Sequence, residues 1–226
     1  MQPEKNLLAI DTSTTFLSLA LQAKGKLYTY HEEVGNQQSS YILPQISALL
    51  AQAQCIVADL DAIVYAQGAG AFTGLRIGIG VAQGLATPFN TPLIGIPCQD
   101  AVAYLQPENE CVLAATDARM NEVFYAFFDT KNHKRLSPYQ VGKPEDITQP
   151  ENYRAEQVIG VGNAFALPNA PQFSGSAQMP TAADYLALAQ TERYTATAPE
   201  HAELLYVRDK IALTAAEQSA KKFQAA

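Results

Sequence analysis

Two short segments carry residue types that could handle a phosphate or a hydrated metal. The first is Asp11-Thr12-Ser13-Thr14, which follows the apolar run Leu7-Leu8-Ala9-Ile10. A carboxylate at a strand end can reach a hydrated cation, and the hydroxyls and turn amides beside it can face an anion. The same residues also suit an ordinary hairpin turn, because they bond local backbone groups. The second is Gly68-Ala69-Gly70-Ala71-Phe72-Thr73-Gly74, continued by Leu75-Arg76-Ile77-Gly78. It follows a buried-strand pattern and opens a helical one, so its amides and the helix dipole could accept an anion. Neither the Walker loop nor the dinucleotide fingerprint is matched, since the lysine is missing and the glycine spacing differs. Asp11, Thr12, Gly68, Gly70 and Thr73 are the candidate phosphate-loop positions.

Other chemistries lack their residues. His31, His133 and His201 are scattered and fall in no metal-ligand spacing. Ser13, Ser39 and Ser40 have no nucleophile elbow around them, and neither a Ser-His-Asp nor a Cys-His constellation emerges. Cys55, Cys98 and Cys111 are odd in number and widely spaced, which indicates core packing rather than disulfides or zinc. No catalytic residue and no metal ligand is expected.

The elements that must position the two segments follow from periodicity. Residues 7–11, 16–23 and 27–31 read as a three-stranded meander, with a turn at Lys24-Gly25-Lys26. From Ser39 the period changes to 3.6, with Ile42, Leu43, Ile46, Leu49, Leu50 and Ala53 on one face, which predicts a helix over 39–53 with Pro44 in its first turn. Residues 60–66 and 93–96 read as buried strands. Between them, 74–86 alternates like a strand at Leu75, Ile77, Ile79 and Val81. Parallel neighbours need a long crossover, so a helix is expected there.

On that helix Gly74, Gly78 and Ala82 recur every fourth residue, as do Gly80 and Gly84. Small residues at this spacing let another backbone approach closely, either the helix's own sheet or a partner. The small and apolar residues of the two helices exceed what one core can hide. Ile42, Ile46, Leu75, Gly78, Ile79 and Ala82 are therefore the expected partner surface, for a second protein or for another copy of the chain.

A polar break at 106–110 marks a domain boundary. Beyond it, Val112–Thr116, the turn 117–122 and Val123–Asp129 repeat the opening strand, turn and strand. A strand at 158–161, a loop at 168–180 and helical patterns near 181–191 and 209–223 follow. The expected organisation is a first domain over 1–106, a smaller second domain over 107–208, and a C-terminal helix over 209–226 packing back on the first.

Composition narrows the class. Of 226 residues 48% are hydrophobic and 16% charged, as in a packed globule. Fifteen basic against 22 acidic residues leave a net charge of −7, opposite to the footprint of an autonomous nucleic-acid binder. Any RNA is expected to be held by something else. No apolar stretch has the length of a signal-peptide core or a membrane helix, so a cytoplasmic location and no membrane contact are expected.

Taken in order, Leu8–Thr14, Asp59–Ile63, the loop from Gly68 through Gly78, Asp117-Ala118-Arg119-Met120-Asn121-Glu122-Val123, and Tyr206-Val207-Arg208 with Ile211-Ala212 resemble the motif series of the TsaB family. The resemblance is close over 7–129 and looser over 130–226. It implies an α/β, actin-like (ASKHA, ribonuclease H-like) fold of two related domains, each with a mixed sheet and crossover helices. It further implies a non-catalytic partner of TsaD in threonylcarbamoyl transfer to N6 of adenosine 37 in tRNAs reading ANN codons. Such a partner also helps recruit the ATPase TsaE, touches tRNA only through TsaD, and forms a homodimer when alone. The chain departs from the family where Ala69 replaces Pro and Ala71 replaces Ser in the loop, and where Gln38 replaces a His ahead of the first helix. Asp117-Ala118-Arg119 keeps an acid but lacks the glycine of a second phosphate turn, and Gly160-Val161-Gly162-Asn163 is a faint adenosine loop. The implied cleft is degenerate, with no cofactor and at most vestigial ATP or ADP binding. An ATP-dependent small-molecule kinase and a peptidase are the rival readings.

Overall fold

β1 (Leu7–Asp11) is buried on both faces, which is why its residues are a continuous apolar run and not an alternation. Leu8 and Ile10 enter one hydrophobic cluster, Leu7 and Ala9 another on the opposite side. β2 (Phe16–Ala23) and β3 (Lys26–Glu33) complete an antiparallel meander. Lys24 and Gly25 turn between them, both at positive φ, as two-residue hairpins favour. The chain is described by a computed structural model over residues 5–208.

α1 (Gln38–Ala53) turns Ile42, Ile46, Leu49, Leu50 and Ala53 inward and leaves Leu43 exposed. The helix starts at Gln38, directly after a 3-10 turn, so Pro44 stands in its second turn and not its first, at the cost of one helical hydrogen bond. β4 (Ala62–Gly68) runs parallel to β1, and β5 (Leu93–Pro97) parallel to β4. α2 (Phe72–Ala86) makes the crossover between them. The parallel pairing thus overrides the strand-like alternation of 75–81, and the helix begins two residues earlier than its pattern predicts.

A short α3 (Cys98–Ala103) leads into the second sheet, formed by β6 (Val112–Arg119), β7 (Glu122–Asp129), β8 (Lys134–Arg135), β9 (Gln140–Gly142), β10 (Ile159–Val161) and β11 (Gly175–Ser176). In the first sheet the order β5-β4-β1-β2-β3 is parallel, parallel, antiparallel, antiparallel. In the second, β11-β10-β6-β7-β8 repeats that series. The duplication expected from the two strand-turn-strand segments is present as topology.

The domain bounds differ from those expected. α4 (Ala182–Ala189) packs its Ala182, Tyr185 and Leu186 under the first sheet with Ala9, Ala20 and Val64, and its first amide donates to Ser18 Oγ at 2.8 Å. β12 (Ala196–Thr197) then adds to β5. The chain returns to the first domain near residue 181, where the sequence reading continued the second domain to 208. Two-residue strands and an eight-residue helix carry too little pattern to reveal which sheet they join. The expected C-terminal helix lies outside the described residues. No helix among the described residues is long and apolar enough to cross a membrane.

Candidate functional site

The β1–β2 turn, the loop before α2, the β6–β7 hairpin tip and the segment Leu205–Arg208 enclose a cleft of about 700 Å³. Ser13, Gly70 and Thr73 line it from the first domain, Asp117, Met120 and Asn163 from the second. Of the five phosphate-loop candidates, only Gly70 and Thr73 reach the cavity wall. Asp11 is buried beneath the turn, where its Oδ1 accepts the Ser13 N–H at 2.8 Å. Burial pushes its carboxyl above the ordinary value, opposed by the hydrogen bonds from Ser13. Thr12 is also buried, its hydroxyl donating to the Gly74 carbonyl at 2.8 Å.

The glycines of the loop make room for the protein itself. A Cβ at Gly68 would stand 2.5 Å from the Leu205 carbonyl oxygen, and one at Gly70 would stand 2.9 Å from both Cβ and O of Ser13. At Gly74 it would be driven into the Thr12 carbonyl, at Gly78 into the Thr12 hydroxyl. Two loop amides are engaged as well: Ala71 N–H donates to Ser13 O at 2.8 Å and Ala69 N–H to Gln99 Oε1 at 3.2 Å. Ala71 occupies the N-cap of α2 without a side-chain acceptor for the helix amides. A loop so interlocked with the β1–β2 turn holds little for an anion beyond the helix terminus itself.

The second domain repeats this self-satisfaction. Asp117 Oδ1 accepts Arg119 N–H at 2.7 Å, and the carboxylate pairs with the Arg119 guanidinium at 3.1 Å. Asn163 Oδ1 accepts the Asp117 N–H at 2.8 Å. The faint adenosine loop is filled: a Cβ at Gly160 or Gly175 would strike the Phe165 ring, and one at Gly162 the Ala115 carbonyl.

Gln38 holds the turn from the other side, its Nε2 donating to Thr14 O at 2.7 Å, Phe16 O at 2.9 Å and Thr12 O at 3.4 Å. Gln99, fully buried, links the Ala69 amide to the Thr116 hydroxyl of β6 and so joins the loop to the second domain. All three cysteines are buried, and burial pushes the Cys98 thiol up to about 12, far from a reactive thiolate. No group of three His, Cys, Asp or Glu side chains comes together among the described residues.

The family described as "TsaD: tRNA N6-adenosine threonylcarbamoyltransferase" matches residues 30–224. The "tRNA threonylcarbamoyladenosine biosynthesis protein TsaB" of Escherichia coli (strain K12) is 33% identical over 221 residues, covering 91% of this chain and 96% of that protein. Its namesake in Haemophilus influenzae is 34% identical over 225 residues, covering 91% and 94%. The chain belongs to the TsaB family. The solved structure "YeaZ from Pseudomonas aeruginosa" matches with a TM-score of 0.78 at 31% identity, over 90% of this chain and all of that one. A second solved structure, titled as an uncharacterized protein with similarity to peptidase YEAZ from the same organism, matches with a TM-score of 0.80 over 91% of this chain. The fold is actin-like, as the duplicated sheets require.

The expected partner surface needs correction at the level of residues. Ile42, Ile46, Leu75, Gly78 and Ala82 are buried in the protein's own core, and Ile79 is half-buried. The stripe Gly74-Gly78-Ala82 seats α2 on β1 and does not face outward. The small residues that face solvent are Gly80 and Gly84, where an added Cβ would meet nothing within 4 Å. On α1 the exposed apolar side chains are Tyr41 and Leu43. Sequence reasoning could not separate the two glycine series, since both have helical spacing. It missed Gln99 altogether, whose single amide gives no pattern.

Asp11→Asn is expected to flatten the dependence of stability on pH. With its folded value raised above 3.8, the folded carboxyl keeps a proton that the unfolded chain releases, so stability is highest below 3.8 and declines as pH rises through the folded value. Asparagine removes that decline and still offers an oxygen to Ser13 N–H. Urea midpoints of variant and wild type, compared from acid to neutral pH, should diverge in the variant's favour as pH rises. A constant gap would refute this.

Proposed function

We propose that the protein is the non-catalytic partner of TsaD in transfer of the threonylcarbamoyl group to N6 of adenosine 37 of tRNAs reading ANN codons. The observation that carries this reading is the interlocked loop: glycines and amides that a phosphotransfer enzyme would turn to its nucleotide are spent on Ser13, Thr12, Gln99 and Leu205. The chemistry then belongs to TsaD, and this chain supplies a rigid body to assemble on. Its net charge of −7 supports contact with tRNA only through TsaD. Recruitment of TsaE and a cytoplasmic location belong to the same reading.

The surface proposed for TsaD is the outer face of α1 and α2, with Tyr41, Leu43, Gly80 and Gly84 exposed. Two glycines one turn apart without side chains above them let another helix approach closely, and the flanking apolar groups supply burial. In the absence of TsaD a second copy of the chain uses the same face.

The test is co-purification. Gly80→Arg with Gly84→Arg is expected to cost about 2 kcal/mol or more of TsaD binding while leaving the thermal midpoint of the lone protein no lower than wild type. Undiminished capture of TsaD would exclude this face. Tight binding of ATP–Mg²⁺ by the lone protein in calorimetry would favour the kinase reading instead.

A further inference from the structure

The segment after the 3-10 turn Pro199–His201 is stitched along the first domain and ends on the second. Gln83 Nε2 donates to Pro199 O at 2.9 Å, Tyr65 OH to Glu203 O at 3.0 Å, and Leu205 N–H to Gln67 O at 2.9 Å. The Leu205 carbonyl fills the space above Gly68, and the Tyr206 ring lies 6.0 Å from that of Phe72 at the mouth of the cleft. Beyond this point the contacts change domain. Arg208 donates to Ala118 O at 3.3 Å, pairs with the Glu122 carboxylate, and sets its guanidinium 5.7 Å from the Phe124 ring.

What Arg208 holds is a demanding turn. Arg119, Met120 and Asn121, none of them glycine, all have positive φ, a conformation L-residues adopt reluctantly and rarely in succession. The Met120 side chain at the tip is 74% exposed, so packing does not hold it. Support comes from Asp117 at the base of the tip and from Arg208 across the cleft. The first-domain half of the segment is anchored by several hydrogen bonds, while among the described residues its polar hold on the second domain is Arg208, 18% exposed.

We propose that Leu205–Arg208 is a strap closed over the cleft, with Arg208 as its latch. Latched, it covers Gly68 and holds the β6–β7 tip at the cleft mouth. Released, it lets the tip relax and opens the loop to solvent while the buried Gln99 link keeps the domains joined. The strap lies at the cleft and not on the outer face of α1 and α2, so it stands or falls separately from the TsaD surface.

Hydrogen exchange read by mass spectrometry on the full chain tests it. Arg208→Ala is expected to speed amide exchange at residues 117–124 and 68–72 about tenfold, leaving β1 and α4 at wild-type rates, because a charge-assisted anchor is lost from two local segments only. Glu122→Gln, which keeps the arginine and removes its ion pair, is expected to speed the same segments by a smaller factor, and reads the same latch if the alanine variant does not fold. Wild-type exchange at 117–124 in both variants would overturn the proposal. So would acceleration spread evenly over both domains.

Discussion

Replacing Gly78 by valine is expected to destabilise the isolated protein by about 2–6 kcal/mol, much of a typical domain's whole stability. A Cβ there would be driven into the Thr12 hydroxyl, with Ile10 Cγ2 at 3.7 Å leaving no room to step aside. Thr12 would have to leave its 2.8 Å hydrogen bond to Gly74 O, stranding its own buried hydroxyl. Gly84→Ala is the matched control. Nothing lies within 4 Å of its added Cβ, so the helix gains up to about 1 kcal/mol from lost glycine flexibility. Urea denaturation of the two variants separates the inner glycine series from the outer one. Gly78→Val at wild-type stability would mean that α2 does not lie on β1 as described. Helical spacing alone points to the opposite experiment, a bulky residue at Gly78 or Ala82 that spares the fold and blocks a partner. The burial of both residues makes that variant a test of folding and not of docking.

Gln38→Leu is expected to cost about 3 kcal/mol, because the two N–H groups of a buried amide are lost from the Thr14 and Phe16 carbonyls. Leucine is close in size, so lost packing contributes little and the deficit reports the hydrogen bonds. Gln38→Glu keeps the shape but sets carboxylate oxygens against carbonyl oxygens, and is expected to cost at least as much. Chemical denaturation gives both values, and faster amide exchange at 12–16 would place the damage in the β1–β2 turn. If glutamate were tolerated at neutral pH, the assigned donor role of Gln38 would be wrong. In this chain Gln38, the first residue of α1, is a structural clamp on the turn that follows Asp11.

Much of the first domain was legible because its signals are long. A sixteen-residue helix repeats its apolar face several times, and an eight-residue meander strand alternates enough to be told from a helix. α2 was ambiguous, and only the need for a crossover between parallel strands decided it. α3, β8, β9 and β12 run from two to six residues, too short for any period to register. The return of α4 to the first sheet was hidden for a different reason. Its apolar face, with Tyr185 and Leu186, suits either sheet, and what it meets, Ala9, Ala20, Val64 and the Ser18 hydroxyl, lies far away in the chain.

From the residues alone came the duplicated strand-turn-strand pattern, the family resemblance, the exclusion of a nucleophile triad, and the list of positions that lack a side chain. These are properties of composition and spacing, which exist before the chain folds. Which glycine faces which neighbour was settled only in three dimensions. A missing Cβ reads the same whether the space is kept for a phosphate, for another protein or for the chain itself, and tertiary packing gave Gly68 to the strap, Gly70 to Ser13, and Gly74 and Gly78 to Thr12. Asp11 looked like a metal-facing carboxylate for the same reason. Its place beneath the turn depends on the elements packed around it, and no local spacing encodes that burial.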